Sequence, residues 1–348
     1  MDNLPKEVVV IGGGQSGLAT AYYLKRNKID FVVLDASEQP GGAWQDMWDS
    51  LSLFSAAEHN ALPGWWMPPS ENEYPSKDEV IDYLKAYEKR YDIPVERPVN
   101  VEAIYSNEQE FEIKTDRGIW KSLAVVSATG TWNEPYIPDI PGKNVFTGKQ
   151  LHAKDYKNPD GFKGKTVVIV GAGNSGAQIL AEVSKVTETI WANREEPSFL
   201  PDHVDGRYLF DFASKKYKGK EDKPNYSVGD IVMVPPVKDA RERGVLNSVP
   251  MFEKIDQNSI LWSDGSSKEV DVIIWCTGFK PYLKHLTPLN VVSENNRVET
   301  SGTKAVDQPG LWLVGYGGWT GYASATIIGV GRTARSTVNQ IKEFLKEK

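Results

Sequence analysis

Val8-Val9-Val10-Ile11-Gly12-Gly13-Gly14-Gln15-Ser16-Gly17 returns later in the chain as Val167-Val168-Ile169-Val170-Gly171-Ala172-Gly173-Asn174-Ser175-Gly176. A β-branched run without polar interruption is the pattern of a strand buried on both faces of a parallel sheet. Behind each glycine turn the apolar spacing becomes helical, with Leu18, Tyr22 and Leu24 in the first copy and Ile179, Leu180 and Val183 in the second. A further strand follows each helix, Phe31-Val32-Val33-Leu34 and Thr189-Ile190-Trp191. Two βαβ units result, and the fold class is α/β with two Rossmann-like dinucleotide-binding domains.

Between the copies, Trp44 to Pro75 is rich in Trp and Pro and too irregular for a core element. A long irregular segment in a compact domain is usually functional. Ser76 then reads as the N-cap of a helix over 77–91. Strands are expected near 99–105, 111–115 and 123–127, the last ending in Ala128-Thr129-Gly130. After the second copy, Ile273-Ile274-Trp275-Cys276-Thr277-Gly278 plays the same part. A final strand, Leu311 to Val314, leads into Gly315-Tyr316-Gly317-Gly318, and a closing helix is expected from about Ala325 to Glu347. Asn158-Pro159-Asp160-Gly161 and Gly278-Phe279-Lys280-Pro281 have the composition of crossover linkers. One domain is therefore expected from residues 1–157 plus 280–348, with a second, 158–279, inserted into it.

The 348 residues suffice for two such domains and a sizeable core. A net charge of -7 argues against a nucleic-acid binder. The single cysteine, Cys276, excludes an internal disulfide, CxxC redox chemistry and a cysteine-based zinc site, and it suits a reducing, cytoplasmic setting. No metal site is expected. Met1 to Lys6 lacks a signal-peptide layout, and no apolar stretch approaches the roughly 20 residues of a membrane helix, so a soluble protein is expected. The run Lys215 to Lys220 reads as a solvated loop.

In GxGxxG the first glycine makes the tight turn and the second lets a pyrophosphate approach the backbone. The third lets helix pack on strand, and the helix N-terminus faces the phosphates. Gly12, Gly14 and Gly17 satisfy this, as do Gly171, Gly173 and Gly176, each set between a strand and a helix. Asp35, at the end of the second strand, suits the ribose diol of the first dinucleotide. The equivalent stretch of the second copy is Asn193-Arg194-Glu195-Glu196, where Arg194 can pair with a 2'-phosphate. The first half thus suits FAD and the second NADPH, which makes the NAD(P) domain the inserted one.

At this point the chain resembles the flavin-containing monooxygenases, class B flavoprotein monooxygenases, in their small soluble bacterial branch. The resemblance spans essentially the whole chain. Its most specific element is Phe146-Thr147-Gly148-Lys149-Gln150-Leu151-His152-Ala153-Lys154-Asp155-Tyr156, which matches FxGxxxHxxxY at Phe146, Gly148, His152 and Tyr156. Gly41-Gly42-Ala43-Trp44, Ala128-Thr129-Gly130 and Trp275-Cys276-Thr277-Gly278-Phe279 match as well. The resemblance implies an enzyme in which NADPH reduces FAD, the flavin captures O2 as a C4a-hydroperoxide, and sulfides, amines or ketones are oxygenated. Cofactor contacts are implied at Gly12, Gly14, Gln15, Ser16, Gly17, Asp35, Gly42, Trp44, Thr129 and Thr326. For the nicotinamide cofactor they are Gly171, Gly173, Asn174, Ser175, Gly176, Arg194, Glu195, Thr277 and Gly278. Two departures stand out. Ser55-Ala56-Ala57 stands where family members carry an asparagine beside the flavin, with Asn60 nearby as a candidate catalytic residue, so leakage of H2O2 is expected. Glu195 replaces the threonine of an Arg-Thr pair, so NADH is expected to be accepted besides NADPH.

His152 is a candidate catalytic residue, more in the sense of fixing linker and cofactor than of proton transfer. His59 reads as either flavin-side or exposed, and His203 as surface. Trp65, Trp66 and Met67 read as core packing or, given the flanking prolines, as a pocket wall or an interface, and the tryptophans point to a homodimer. Trp319, Thr320 and Tyr322 are expected near the flavin ring. A thioredoxin-reductase-like enzyme needs a cysteine pair that one cysteine cannot supply. The remaining alternatives are an NAD(P)H oxidase or flavin reductase releasing H2O2 without an organic substrate, and a flavoprotein redox sensor.

Overall fold

The computed structural model describes residues 4–107, 109–204 and 229–348; the expected loop Lys215 to Lys220 lies outside them. The chain forms two compact units: Met1–Gln45, Ala56–Glu134 and Lys280–Lys348 in the first, Asp46–Ser55 and Pro135–Phe279 in the second.

The first unit is built on a nine-stranded sheet. Its parallel centre runs Leu311–Leu313, Gly118–Ser127, Lys6–Ile11, Phe31–Leu34, Val95–Glu96. Val8, Val9 and Val10 are fully buried, as a strand covered on both faces requires. The hairpin Val101–Ser106/Phe111–Thr115 extends the sheet antiparallel to Gly118–Ser127. Lys6–Ile11 lies between Phe31–Leu34 and Gly118–Ser127, so the strand order reverses there and a ligand crevice opens at the carboxyl ends. Helix Lys77–Arg90 starts with a capping box: Glu79 N–H donates to Ser76 Oγ at 3.3 Å, and Ser76 N–H donates to Glu79 Oε2 at 2.8 Å. The last helix starts at Val330 rather than near Ala325. Thr326 winds the preceding residues into a turn, its hydroxyl donating to Ala323 O at 2.8 Å and accepting Gly329 N–H at 3.0 Å.

The second unit carries a five-stranded, all-parallel sheet in the order Ser248–Pro250, Glu188–Asn193, Thr166–Val170, Val272–Trp275, Lys149–His152. Its core gathers Val168, Val170, Ile273, Trp275, Phe252 and Phe146. The unit begins at Pro135, ahead of the crossover expected at Asn158 to Gly161. The reason is strand pairing. Lys149–His152 aligns its Gln150 and Leu151 with Ile273 and Ile274, and Pro135 bridges to Phe279. Asp46–Ser55 also packs in this unit, where Asp49 N–H donates to Lys157 O at 2.9 Å and Ser50 Oγ to Glu182 Oε2 at 3.1 Å. Among the described residues no helix is long and apolar enough to cross a membrane.

Candidate functional site

Each unit places its glycine turn at the carboxyl end of the first parallel strand. A Cβ on Gly12 (φ +104°) would lie 2.6 Å from Ala128 O, and one on Gly171 (φ +126°) 2.3 Å from Cys276 O. Only glycine fits such a left-handed residue pressed against the neighbouring strand. A Cβ on Gly17 would meet Gly12 O at 1.9 Å, and one on Gly176 would meet Gly171 O at 2.1 Å. The middle glycines differ. Among the described residues nothing lies within 4 Å of a Cβ on Gly173, and only Gly42 Cα, at 4.0 Å, faces Gly14. Helices Gln15–Arg26 and Asn174–Val183 begin directly after them, and neither has a side-chain cap. Their first N–H groups therefore face an open, glycine-lined cradle that fits an anion such as a pyrophosphate.

In the first unit, three segments close around this turn. A Cβ on Gly42 would come within 2.8 Å of Gly14 Cα, and one on Gly315 within 2.0 Å of Ser16 Oγ. Gln15 connects two of these walls, accepting Trp44 Nε1–H at 3.0 Å and donating to Ala325 O. The hydroxyls of Thr129 and Thr326 are both engaged inside the protein. Asp35 is buried with its carboxylate turned to Arg97, whose Nε and Nη2 lie 3.2 and 3.1 Å from Oδ2. The same guanidinium holds Glu88 in a fork at 2.7 and 3.0 Å. Arg97 and Glu88 carry no motif signature; the parallel pairing of Phe31–Leu34 with Val95–Glu96 brings Arg97 to Asp35, and Arg97 holds Glu88 of helix Lys77–Arg90.

In the second unit the register isolates a residue the motif does not. Ile11 pairs with Leu34, and Val170 pairs with Ala192, so Asn193 takes the place that Asp35 has in the first copy. Its Oδ1 accepts Gly171 N–H at 3.1 Å, while Trp191 Nε1–H donates to Gly171 O at 2.9 Å. Arg194 and Glu195 are exposed just beyond it. Asn174 is turned inward, its Oδ1 accepting Val232 N–H at 2.8 Å. Thr277 donates to Tyr136 O, which holds the turn at Gly278. Cys276 is half-buried, and enclosure pushes its thiol up to about 12, so it is an inert packed thiol.

His152 is buried with both ring nitrogens committed to backbone. Nδ1 accepts Lys154 N–H at 3.1 Å, which leaves the proton on Nε2 to meet Gly278 O at 3.0 Å. Burial lowers its pKa. A neutral imidazole with one fixed tautomer positions the Gly278 turn, and its one N–H is already donated to Gly278 O. Tyr156 in the same segment donates to Glu182 at 2.8 Å and stacks on Phe162. Asn60 is buried in the first unit, where its Nδ2 donates to Ala56 O at 2.9 Å and its carbonyl accepts Met67 N–H. His59 is half-buried at the end of a short turn, and His203 is exposed. Trp65 packs on Tyr83 under Arg90 and Met67 is buried; Trp66 alone of the three is exposed. Thr320 is also internal, accepting Tyr316 N–H at 3.0 Å, and Trp319 packs on Tyr316.

Two parallel-sheet units, each with an open glycine cradle at an uncapped helix, define an oxidoreductase with two dinucleotide folds. The family model described as pyridine nucleotide-disulphide oxidoreductase matches residues 9–207. A solved flavin-containing monooxygenase from Stenotrophomonas maltophilia is 47% identical, with 99% of this chain and 100% of that one covered and a TM-score of 0.92. In Bacillus subtilis (strain 168), a protein named uncharacterized oxidoreductase CzcO is 32% identical over 342 residues, 96% of this chain and 99% of its own. Arabidopsis thaliana has a probable indole-3-pyruvate monooxygenase, YUCCA8, 27% identical over 367 residues, 88% of this chain and 83% of its own. The chain belongs to the pyridine nucleotide-disulphide oxidoreductase family and, within it, to the flavin monooxygenases. It is an oxidoreductase that uses a flavin and a nicotinamide cofactor. The disulphide of the family's description has no counterpart in a chain with one cysteine.

Proposed function

We propose that the first unit holds FAD, the second holds NADPH or NADH, and the enzyme oxygenates small molecules at soft sulfur or nitrogen atoms. The observation that carries this reading is the unequal pair of cradles. Both offer the same glycine turn, but Asp35 stands beside one and the neutral Asn193, followed by exposed Arg194, beside the other. A carboxylate suits a ribose diol and repels a 2'-phosphate, whereas an amide with a nearby guanidinium tolerates either. The chemistry supplied when both cofactors are bound is hydride transfer from nicotinamide to flavin, then transfer of one atom of O2 to substrate, the other leaving as water. The chain's own residues bind and orient. Gln15 ties Trp44 and Ala325 together beside the first cradle, and His152 fixes Gly278 beside the second.

A second reading, an NAD(P)H oxidase releasing H2O2, draws support from Ser55-Ala56-Ala57, which the resemblance to flavin-containing monooxygenases would fill with an asparagine; the amide of the nearby Asn60 donates to Ala56 O instead. Measuring sulfoxide or N-oxide against H2O2 per NADPH consumed separates the two. Oxygenated product is expected with some leakage. Stoichiometric H2O2 with every sulfide, amine and ketone tried would leave the oxidase.

A further inference from the structure

Behind the first cradle runs a buried chain of polar side chains that no motif announces. His285 Nε2 lies 2.9 Å from Ser127 Oγ, which lies 2.5 Å from Tyr316 Oη, which lies 2.7 Å from Thr129 Oγ1. Thr129 Oγ1 lies 2.6 Å from Tyr282 O, and Thr129 N–H points to Tyr316 Oη at 3.2 Å. His285 and Ser127 are 1% and 0% exposed, so bulk solvent does not reach them.

The direction of every proton in this chain follows from its end. A carbonyl only accepts, so the single Thr129 hydroxyl proton goes to Tyr282 O. Thr129 Oγ1 must then accept from Tyr316, and Tyr316, its proton spent, must accept from Ser127. Ser127 has one proton and has given it, so His285 donates from Nε2. The imidazole is therefore neutral, protonated on Nε2, with its Nδ1 lone pair facing inward, where that atom has no partner among the described residues. The opposite order would bury an unpaired N–H and leave the 2.6 Å contact between Thr129 Oγ1 and Tyr282 O without a proton; an unfilled lone pair is the lesser cost. Burial pushes the ring down to about 4, which keeps it neutral through the physiological range.

The chain joins three segments that wall the first cradle. Ser127 and Thr129 flank Ala128, whose carbonyl a Cβ on Gly12 would strike at 2.6 Å. Tyr316 adjoins Gly315, which lies against Ser16. His285 and Tyr282 belong to the segment that re-enters the unit at Lys280, and Tyr282 N–H donates to Gly130 O at 3.0 Å. We propose that His285 is a positioning residue of the flavin site: it starts a one-directional hydrogen-bond chain that holds the Ala128–Gly130 turn against Gly12. This rests on the reading that the first cradle takes FAD.

The test is the Kd of deflavinated protein for FAD, followed by flavin fluorescence, together with the visible spectrum of the bound flavin. Wild-type protein that takes up no FAD in this form would refute the flavin reading itself. With wild-type binding in hand, His285→Leu and Tyr316→Phe are each expected to raise the Kd about ten-fold and to shift the flavin bands. The double variant should be no worse than about the worse single one, because both break one chain. His285→Gln can set an amide N–H where Nε2 stood and should restore binding, whereas His285→Asn is too short to reach Ser127. Should His285→Leu not fold, the Gln and Asn variants decide alone. Equal Kd and spectrum across His285→Gln, His285→Asn and wild type would overturn the inference, as would additive losses in the double variant.

Discussion

Gly173 and Gly176 sit one helical turn apart in one motif, yet the structure assigns them opposite costs. Gly173 is the N-cap of helix Asn174–Val183 with φ −98° and ψ −178°, an extended backbone that alanine adopts without strain, and no atom of the described residues lies within 4 Å of its Cβ position. Losing glycine at an N-cap costs a few tenths of a kcal/mol to about 1. The lower entropy of the unfolded chain returns about 0.4–1 kcal/mol, so Gly173→Ala should leave stability within about 0.5 kcal/mol of wild type. Its methyl group, however, fills the space a pyrophosphate needs. Loss of one or two charge-assisted bonds to the helix N-terminus, about 3 kcal/mol, corresponds to roughly 100-fold in KM for NADPH. Gly176→Ala meets Gly171 O at 2.1 Å and should destabilise the unit by about 1–3 kcal/mol before any cofactor is added. Urea denaturation of both variants, with NADPH kinetics and flavin content measured alongside, checks the pair. Gly173→Ala with KM within three-fold of wild type, or with stability lowered by more than 2 kcal/mol, would refute the assignment of an open cradle.

Arg97→Met should cost about 3–5 kcal/mol in urea denaturation, because it strands Asp35 and Glu88 together with side chains only 7% and 17% exposed; a loss under 1 kcal/mol would show that the fork is incidental. His285 ordinarily titrates near 6.5 and here near 4, so the unfolded chain takes up a proton that the folded one refuses. Stability should be complete above about pH 6.5 and fall by roughly 3 kcal/mol as pH drops to about 4, a slope that His285→Gln flattens in melts recorded across that window. Cys276, its thiol near 12, should resist iodoacetamide at pH 8 in native protein and react once unfolded. For cofactor choice, kcat/KM should favour NADPH modestly or not at all; a thousand-fold preference, about 4 kcal/mol, would contradict a site that pairs Arg194 with Glu195.

The two glycine turns, their strands and their helices were legible in the sequence because each rests on local rules. A β-branched run buries on both sides, and a left-handed turn pressed against backbone accepts only glycine. The same holds for Ser76, whose capping box depends on residues three apart. What the sequence obscured depends on pairing between distant strands. Segment 135–157 joined the second unit because Lys149–His152 found an edge beside Val272–Trp275. The closing helix began late because the Thr326 hydroxyl took the bonds of a preceding turn. In the tryptophan loop, where the sequence leaves packing and a pocket wall both open, Trp65 packs on Tyr83 and Met67 is buried.

By itself, then, the sequence determined that there are two dinucleotide folds and where each glycine turn lies. The tertiary structure decided which side chains have atoms to spare. Asp35 faces Arg97, His152 is spent on backbone, and Thr129 is the last hydroxyl in a chain that starts at His285. The physical reason is the same in each case: a buried polar atom takes whichever partner the packing brings within about 3 Å, and that partner is distant in sequence.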